Sequence, residues 1–305
     1  MQGKASPVPT ILVTGSNGQV GFELRRSMAP LGDVIALDRA ACDLTQPDQL
    51  RRTVREYRPA IIVNAAAFTA VDKAETEPEL AFAINGVAPG ILAEEAYALG
   101  SLLVHYSTDY VFDGIAQGAY VETDAVNPQS VYGRSKLAGE HAVAEAGAQA
   151  LVLRTCWVAG AHGGNFAKTM LRLASERESL KVIADQFGAP TTASLIADVT
   201  AQIVARHWLT GSHEAFPSGV YHLAAAGDTS WHGYAVEVLR YARELGVELK
   251  ANPEKVEAIS ATAYPLPAPR PANSRLDTTR LREIFGIHLP PWEQGIHHLL
   301  DLILQ

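Results

Sequence analysis

Short, almost continuously apolar runs alternate with longer amphipathic stretches through the first half of the chain. The runs are Ile11–Thr14, Val34–Leu37, Ile61–Asn64, Leu102–Ser107 and Leu151–Arg154, rich in Val, Ile and Leu. A strand without polar alternation is buried on both faces, as in parallel sheets covered by helices. Helices are expected between these runs, at about Gln19–Met28, Asp48–Tyr57, Pro78–Leu99 and Val131–Glu145. Strand–helix alternation at this spacing predicts right-handed βαβ units and a doubly wound parallel α/β sheet.

The rhythm changes after about Gly160. Helical patterns near Phe166–Arg177, Ala193–Trp208, Trp231–Leu245 and Trp292–Ile303 are joined by irregular stretches bearing Pro and Gly. Pro265, Pro267, Pro269 and Pro271 predict an extended segment crossing a surface. The expected organisation is an N-terminal extension over residues 1–9, a first domain over 10–160, and a smaller, partly interleaved C-terminal domain over 161–305 with a soft boundary.

Composition narrows the field. The chain has 305 residues, with 25 Lys and Arg against 33 Asp and Glu, a net charge of −8. This length can bury a sizeable core without disulfide or metal staples. The acidic balance argues against a nucleic-acid partner. Cys42 and Cys156 alone cannot form a disulfide scaffold or a thiolate-rich zinc site. No apolar run approaches the ~18–20 residues of a bilayer span. The N-terminus has no signal-peptide pattern. A soluble, cytoplasmic protein with no membrane partner is therefore expected.

Gly15, Gly18 and Gly21 stand three apart, just after the first strand and at the opening of the first helix. In that context the first glycine serves a tight turn, the second a close approach to a pyrophosphate, and the third helix–strand packing. The helix N-terminus, at Gln19 and Val20, then offers N–H groups and a positive dipole end. Asp38 ends the second strand, where a carboxylate accepts bonds from ribose hydroxyls. The neighbouring Arg39 could tolerate a 2′-phosphate, so the cofactor is NADPH or NADH. Ala65, Ala66 and Ala67 follow the third strand, where small residues let a ligand lie against the backbone. Asp43 and Leu44 could cover an adenine, on a weaker signal.

Tyr132 and Lys136 are four apart and share a helix face. A phenol ionises near pH 10, and a nearby ammonium would lower that value. Such a pair alone recurs by chance, but Ser107-Thr108-Asp109 lies beyond the fourth strand, at the same sheet edge. Thr108, Tyr132 and Lys136 then form a hydroxyl–phenol–ammonium set able to bind and protonate a carbonyl oxygen. The prolyl stretch at Asn127–Val131 places Tyr132 near a helix start.

With these features together, the chain resembles the extended short-chain dehydrogenase/reductase superfamily and, within it, the dTDP-4-dehydrorhamnose reductase family. Further matching stretches are 63–75, 105–112, 131–140, 154–158, 165–172, 185–191 and 270–276. The sequence departs from the family pattern at Phe68. The resemblance implies a Rossmann-type sheet with a smaller substrate domain. It implies reduction of the C4 ketone of a dTDP-sugar with NADPH or NADH. Thr108, Tyr132 and Lys136 would be catalytic. Gly15, Gly18, Gln19, Val20, Gly21, Asp38, Arg39, Asp43, Leu44, Ala65, Ala66, Ala67, Tyr132 and Lys136 would meet the cofactor. Thr108, Asp109 and Trp157 would meet the sugar. It leaves open a homodimer and a structural Mg²⁺ that the sequence does not place.

Rival readings differ in testable ways. A 4,6-dehydratase pattern carries Thr-Asp-Glu after the fourth strand, whereas here Thr108-Asp109 is followed by Tyr110. A 4-epimerase would retain its cofactor. A non-catalytic subunit resembling the regulatory subunit of methionine adenosyltransferase would have no need of the catalytic set. The ten histidines show no metal-ligand spacing, and no catalytic metal is expected. His105, within an apolar strand, reads as a satisfied core residue. Trp157 reads equally as pocket or core. Arg270 and Arg275 suit either a diphosphate or surface ion pairs.

Overall fold

The computed structural model describes residues 8–304; the expected extension over 1–9 lies outside them except for Val8 and Pro9. Pro9 is already tied in, its carbonyl accepting from the Asp33 N–H at 2.9 Å. The first half folds as the hydropathy pattern requires. Strands β1 (Thr10–Thr14), β2 (Asp33–Leu37), β3 (Ile61–Asn64), β4 (Leu102–Thr108) and β5 (Ala150–Thr155) pair in parallel in the order β5-β4-β3-β1-β2. Between them lie α1 (Gln19–Met28) and α2 (Pro47–Tyr57), then a long helical stretch, α3, over residues 78–99, and α4 (Val131–Glu145).

Side-chain alternation in these strands sorts the core into two layers. Leu12, Ile62, Leu103 and Val152 face α2, α3 and α4 on one side. Ile11, Val13, Val63, Val104 and Leu153 face α1 and the later helices on the other. Both sides are apolar, which is why the strands read as unbroken hydrophobic runs.

α3 is not a uniform α-helix. Residues Ala83–Val87 form a π-helical turn between Pro78–Phe82 and Ala88–Leu99. Such turns are rare and often mark functional sites.

The second half contributes an element that the hydropathy pattern did not predict. It begins with α5 (Phe166–Glu176), β6 (Leu180–Ile183) and α6 (Ala193–Ile203). Strand β7 (Gly219–His222) then returns to the main sheet and pairs in parallel with β5, from Gly219 opposite Leu151 to His222 opposite Arg154. The sheet is therefore six-stranded. Only four residues long, with Gly219 first and Pro217 before it, β7 offers no periodicity to detect. Of the remainder, α7 (Trp231–Glu244), β8 (Val256–Ile259) and α9 (Trp292–Leu304) pack with α5 and the β6–β8 parallel pair, whereas α8 (Thr279–Phe285) packs on β7 of the main sheet. Its own core includes Met170, Val182, Tyr234, Leu239, Trp292 and Ile296. Among the described residues no helix is long and apolar enough to cross a membrane.

Candidate active site

Gly15 takes φ +69°, and a Cβ there would stand 2.6 Å from the Ala66 backbone nitrogen. A Cβ on Gly21 would stand 2.1 Å from the Gly15 carbonyl oxygen. The bare Gly15 thus lets the turns after β1 and β3 close on each other, and the bare Gly21 lets α1 pack against the Gly15 turn. α1 begins at Gln19 with Gly18 as its N-cap, and no side chain caps it. Its first N–H groups are thus left to a ligand, which fits a pyrophosphate.

The other expected cofactor residues divide by what their side chains do. Gln19 turns away: its Oε1 accepts from Gly160 N–H at 2.7 Å and Asn165 Nδ2 at 3.2 Å. His162 Nε2 meets the Asn17 carbonyl at 3.0 Å, so the loop over residues 160–165 closes against the glycine turn. Val20 packs on the core, as does the buried Leu44. These two could offer a cofactor little beyond backbone. Asp38 is half-buried and held by Asn17 Nδ2 and Ala41 N–H, both at 3.0 Å. Arg39 beside it is exposed. Asp43 accepts from the Thr45 N–H at 3.0 Å and hydroxyl at 2.9 Å, which holds its carboxyl below the usual range. Ala65, Ala66 and Ala67 line the half-buried end of β3.

Thr108 ends β4 and its hydroxyl does local work, accepting from Tyr110 N–H at 3.2 Å and donating to Asp109 Oδ1 at 3.0 Å. It also lies close to Tyr132. Asp109 is 3% exposed, and its Oδ2 has no partner by bond geometry, although Ser274 lies close. Burial pushes this carboxyl up to about 6.

Tyr132 stands in the first turn of α4, where Ser130 is the N-cap and accepts from Gly133 N–H at 3.1 Å. Gly133 lets the helix approach the preceding segment: a Cβ there would stand 2.2 Å from the Tyr110 carbonyl. Gly139 serves the same purpose against the Asn85 carbonyl, at 2.1 Å. Asn85 sits in the π-turn, donates to Ser135 Oγ at 3.0 Å, and exchanges bonds with the Phe68 backbone at 2.8 and 3.0 Å. The turn thus joins the segment after β3 to α4. The Phe68 ring packs with Tyr132, Ala74, Ala81 and Val131.

The expectation that Lys136 lowers the Tyr132 pKa is not met in the free protein. Burial dominates and pushes the phenol up to about 12. Lys136 is itself 2% exposed, and burial lowers it to about 8. Its Nζ donates to the Tyr106 carbonyl at 2.6 Å.

Beneath this set, Arg154 of β5 binds Glu140 of α4 at 2.6 Å, both nearly fully buried, and Ser107 donates to the same carboxylate. Trp157 adopts φ +45°, uncommon for any residue with a side chain. Its ring stacks on Trp231 at 3.7 Å, and a Cβ on Gly188 would meet its edge at 2.7 Å. Phe166 and Tyr234 extend the aromatic wall. Arg270 pairs with Asp72 at 2.7 Å, and Arg275 is held by Asn273 Oδ1 and the Gln117 carbonyl, both at 2.8 Å, so both guanidinia serve protein partners. Among the described residues no three His, Cys, Asp or Glu side chains cluster as a metal site.

A family model described as RmlD substrate binding domain matches residues 9–304. A dTDP-4-dehydrorhamnose reductase of Burkholderia thailandensis is 51% identical over 94% of this chain and 96% of its own length. The chain belongs to the dTDP-4-dehydrorhamnose reductase family. Family structures share its fold. The Clostridium acetobutylicum reductase superposes with TM-score 0.88 at 35% identity, covering 97% of this chain and 100% of that one. The Bacillus anthracis reductase, solved with NADP, gives 0.87 at 33% identity, covering 96% and 99%.

Several residues of this reductase-family site carry little or no signal in the sequence. Asn85 and Ser135 have none, because their function depends on a π-turn. Trp231 opens a helix far from Trp157 in sequence. Glu140 could have been found, since it follows Lys136 by four residues on one helix face.

Proposed function

We propose that this protein reduces the C4 ketone of dTDP-4-dehydro-β-L-rhamnose to dTDP-L-rhamnose. The observation that carries the reading is the convergence of Thr108, Tyr132 and Lys136 beyond the same sheet edge as the uncapped α1 N-terminus. A nicotinamide cofactor supplies the hydride when bound. Backbone N–H groups at the start of α1 hold its pyrophosphate, and Asp38 meets the adenine ribose. With Arg39 adjacent, the site accepts both NADH and NADPH.

Tyr132 donates a proton to the alkoxide oxygen as it forms at C4. The upward shift of its phenol supports this role, since reduction needs the O–H form at neutral pH. Thr108 turns its hydroxyl from Asp109 to the ketone oxygen and polarises it. The Asp109 carboxylate, half-satisfied within the protein, accepts from a sugar hydroxyl. Lys136 holds the nicotinamide ribose and balances the phenolate left on Tyr132. Trp157, braced by Trp231, carries one face of the sugar.

Incubation with NADPH and the ketosugar should oxidise the cofactor and yield dTDP-L-rhamnose; no oxidation with either NADPH or NADH would sink the reading. Tyr132→Phe should lower turnover by roughly 10²–10⁴ with cofactor affinity retained. The pH dependence of kcat/KM should be bell-shaped. Below about 6 Asp109 becomes neutral, and above about 8 Lys136 loses its charge. A profile flat from pH 5.5 to 9 would contradict these assignments.

A further inference from the structure

His105 lies inside β4 at 1% exposure, directly behind the catalytic lysine. Its Nε2 is 3.3 Å from Lys136 Nζ, and its Nδ1 is 3.1 Å from the Asn64 amide nitrogen. The other end of that amide accepts from the Thr14 hydroxyl at 2.7 Å. The chain Lys136–His105–Asn64–Thr14 therefore runs through the interior from α4 across β4 and β3 to β1.

Donor counting decides what this chain can be. An ammonium has three donors and no acceptor, and a neutral imidazole has one of each. If Asn64 presents its NH₂ to Nδ1, the ring proton sits on Nε2 and points at Lys136, so an ammonium there would face a donor. Turning the amide over removes the conflict. Asn64 Oδ1 then accepts from Nδ1–H, and the Nε2 lone pair faces the ammonium. Side-chain amide orientation is set by such networks. A doubly protonated ring is ruled out by its surroundings, since burial and then Lys136 hold His105 well below its usual value.

We propose that His105 is a positioning residue for the reduction: a neutral imidazole that accepts a hydrogen bond from the Lys136 ammonium through Nε2, with its tautomer set by Asn64. The Tyr106 carbonyl takes a second donor at 2.6 Å. The third is left for the crevice, where the nicotinamide ribose binds. The other titratable group facing the pair is Glu140 of α4, which is bound to Arg154. The imidazole thus supports both the direction and the charge of a lysine whose proton burial makes easier to lose. The proposal rests on the reductase reading for its kinetic consequences, but not for its tautomer.

Three variants and one spectrum test it. His105→Leu removes the acceptor at similar volume, and His105→Gln restores one. His105→Leu should weaken NADPH binding about ten-fold, the effect of one hydrogen bond to a charged group. It should also move the basic limb of kcat/KM to lower pH by about one unit, because the unsupported ammonium loses its proton earlier. His105→Gln should recover most of both effects, and Asn64→Leu should give a smaller shift in the same direction. Folded His105→Leu protein with an unmoved basic limb and unchanged NADPH affinity would overturn the proposal, as would a glutamine variant no better than leucine. If the leucine variant fails to fold, nitrogen-detected NMR of the wild-type imidazole decides. A protonated Nδ1 with bare Nε2 is expected, and a protonated Nε2 overturns it. Should the wild type not reduce the ketosugar, NADPH titration and the imidazole tautomer still test the proposal independently of that failure.

Discussion

The cofactor crevice and the aromatic wall are built on opposite plans. In the crevice a bound cofactor would meet backbone, and the side chains that stand there, such as Gln19 and Leu44, are turned to structural partners. At the wall the side chains form the surface: Trp157, Trp231 and Phe166 come from three separate segments and meet as stacked or tilted rings. The first plan tolerates almost no added atom, while the second depends on atoms being present. On the proposed function, the crevice keeps one shape whatever the substrate, and the wall would be where a particular sugar is distinguished.

That contrast can be broken most severely at Gly21. Gly21→Ala puts a methyl 2.1 Å from the Gly15 carbonyl, backbone against backbone, so α1 must move. Misplacing its N–H array should lower turnover at fixed NADPH on the order of a hundred-fold and destabilise the fold by about 1–3 kcal/mol. Near-normal NADPH titration and melting would show that the close approach is dispensable. At the wall, Trp231→Ala removes the ring bracing Trp157. The KM for the ketosugar should rise about ten-fold, with NADPH affinity unchanged. A variant that lost cofactor affinity instead would erase the distinction between the two regions. The smallest effect belongs to Asn17→Ala, which frees the half-buried Asp38 carboxylate from one bond. NADH affinity should fall about two- to three-fold and NADPH affinity less, a ratio that paired titrations can measure.

The same contrast explains what is legible in the sequence. The five first strands and the glycine turn are local, each encoded by consecutive residues, and all appear at the expected places. Tyr132 and Lys136 are local too, being one helical turn apart. The pKa of Tyr132 is not legible there, because it depends on Phe68 and on how deeply α4 docks through Gly133 and Gly139. Arg270 stays ambiguous until Asp72, almost two hundred residues away, is found beside it. His105 looks like a core residue and is one; its contact with Lys136 needs α4 to dock on β4.

Strand β7 has a consequence for how the molecule is made. It is the outermost strand beside β5, yet it is encoded beyond residue 218. A chain emerging from the ribosome completes five strands early and then exposes the hydrogen-bonding groups of β5 while about sixty further residues are synthesised. During that interval the growing sheet has an open edge of the kind that recruits other chains. The nascent protein is thus most vulnerable to aggregation when its first five strands are nearly finished, and the arrival of Gly219–His222 ends that exposure.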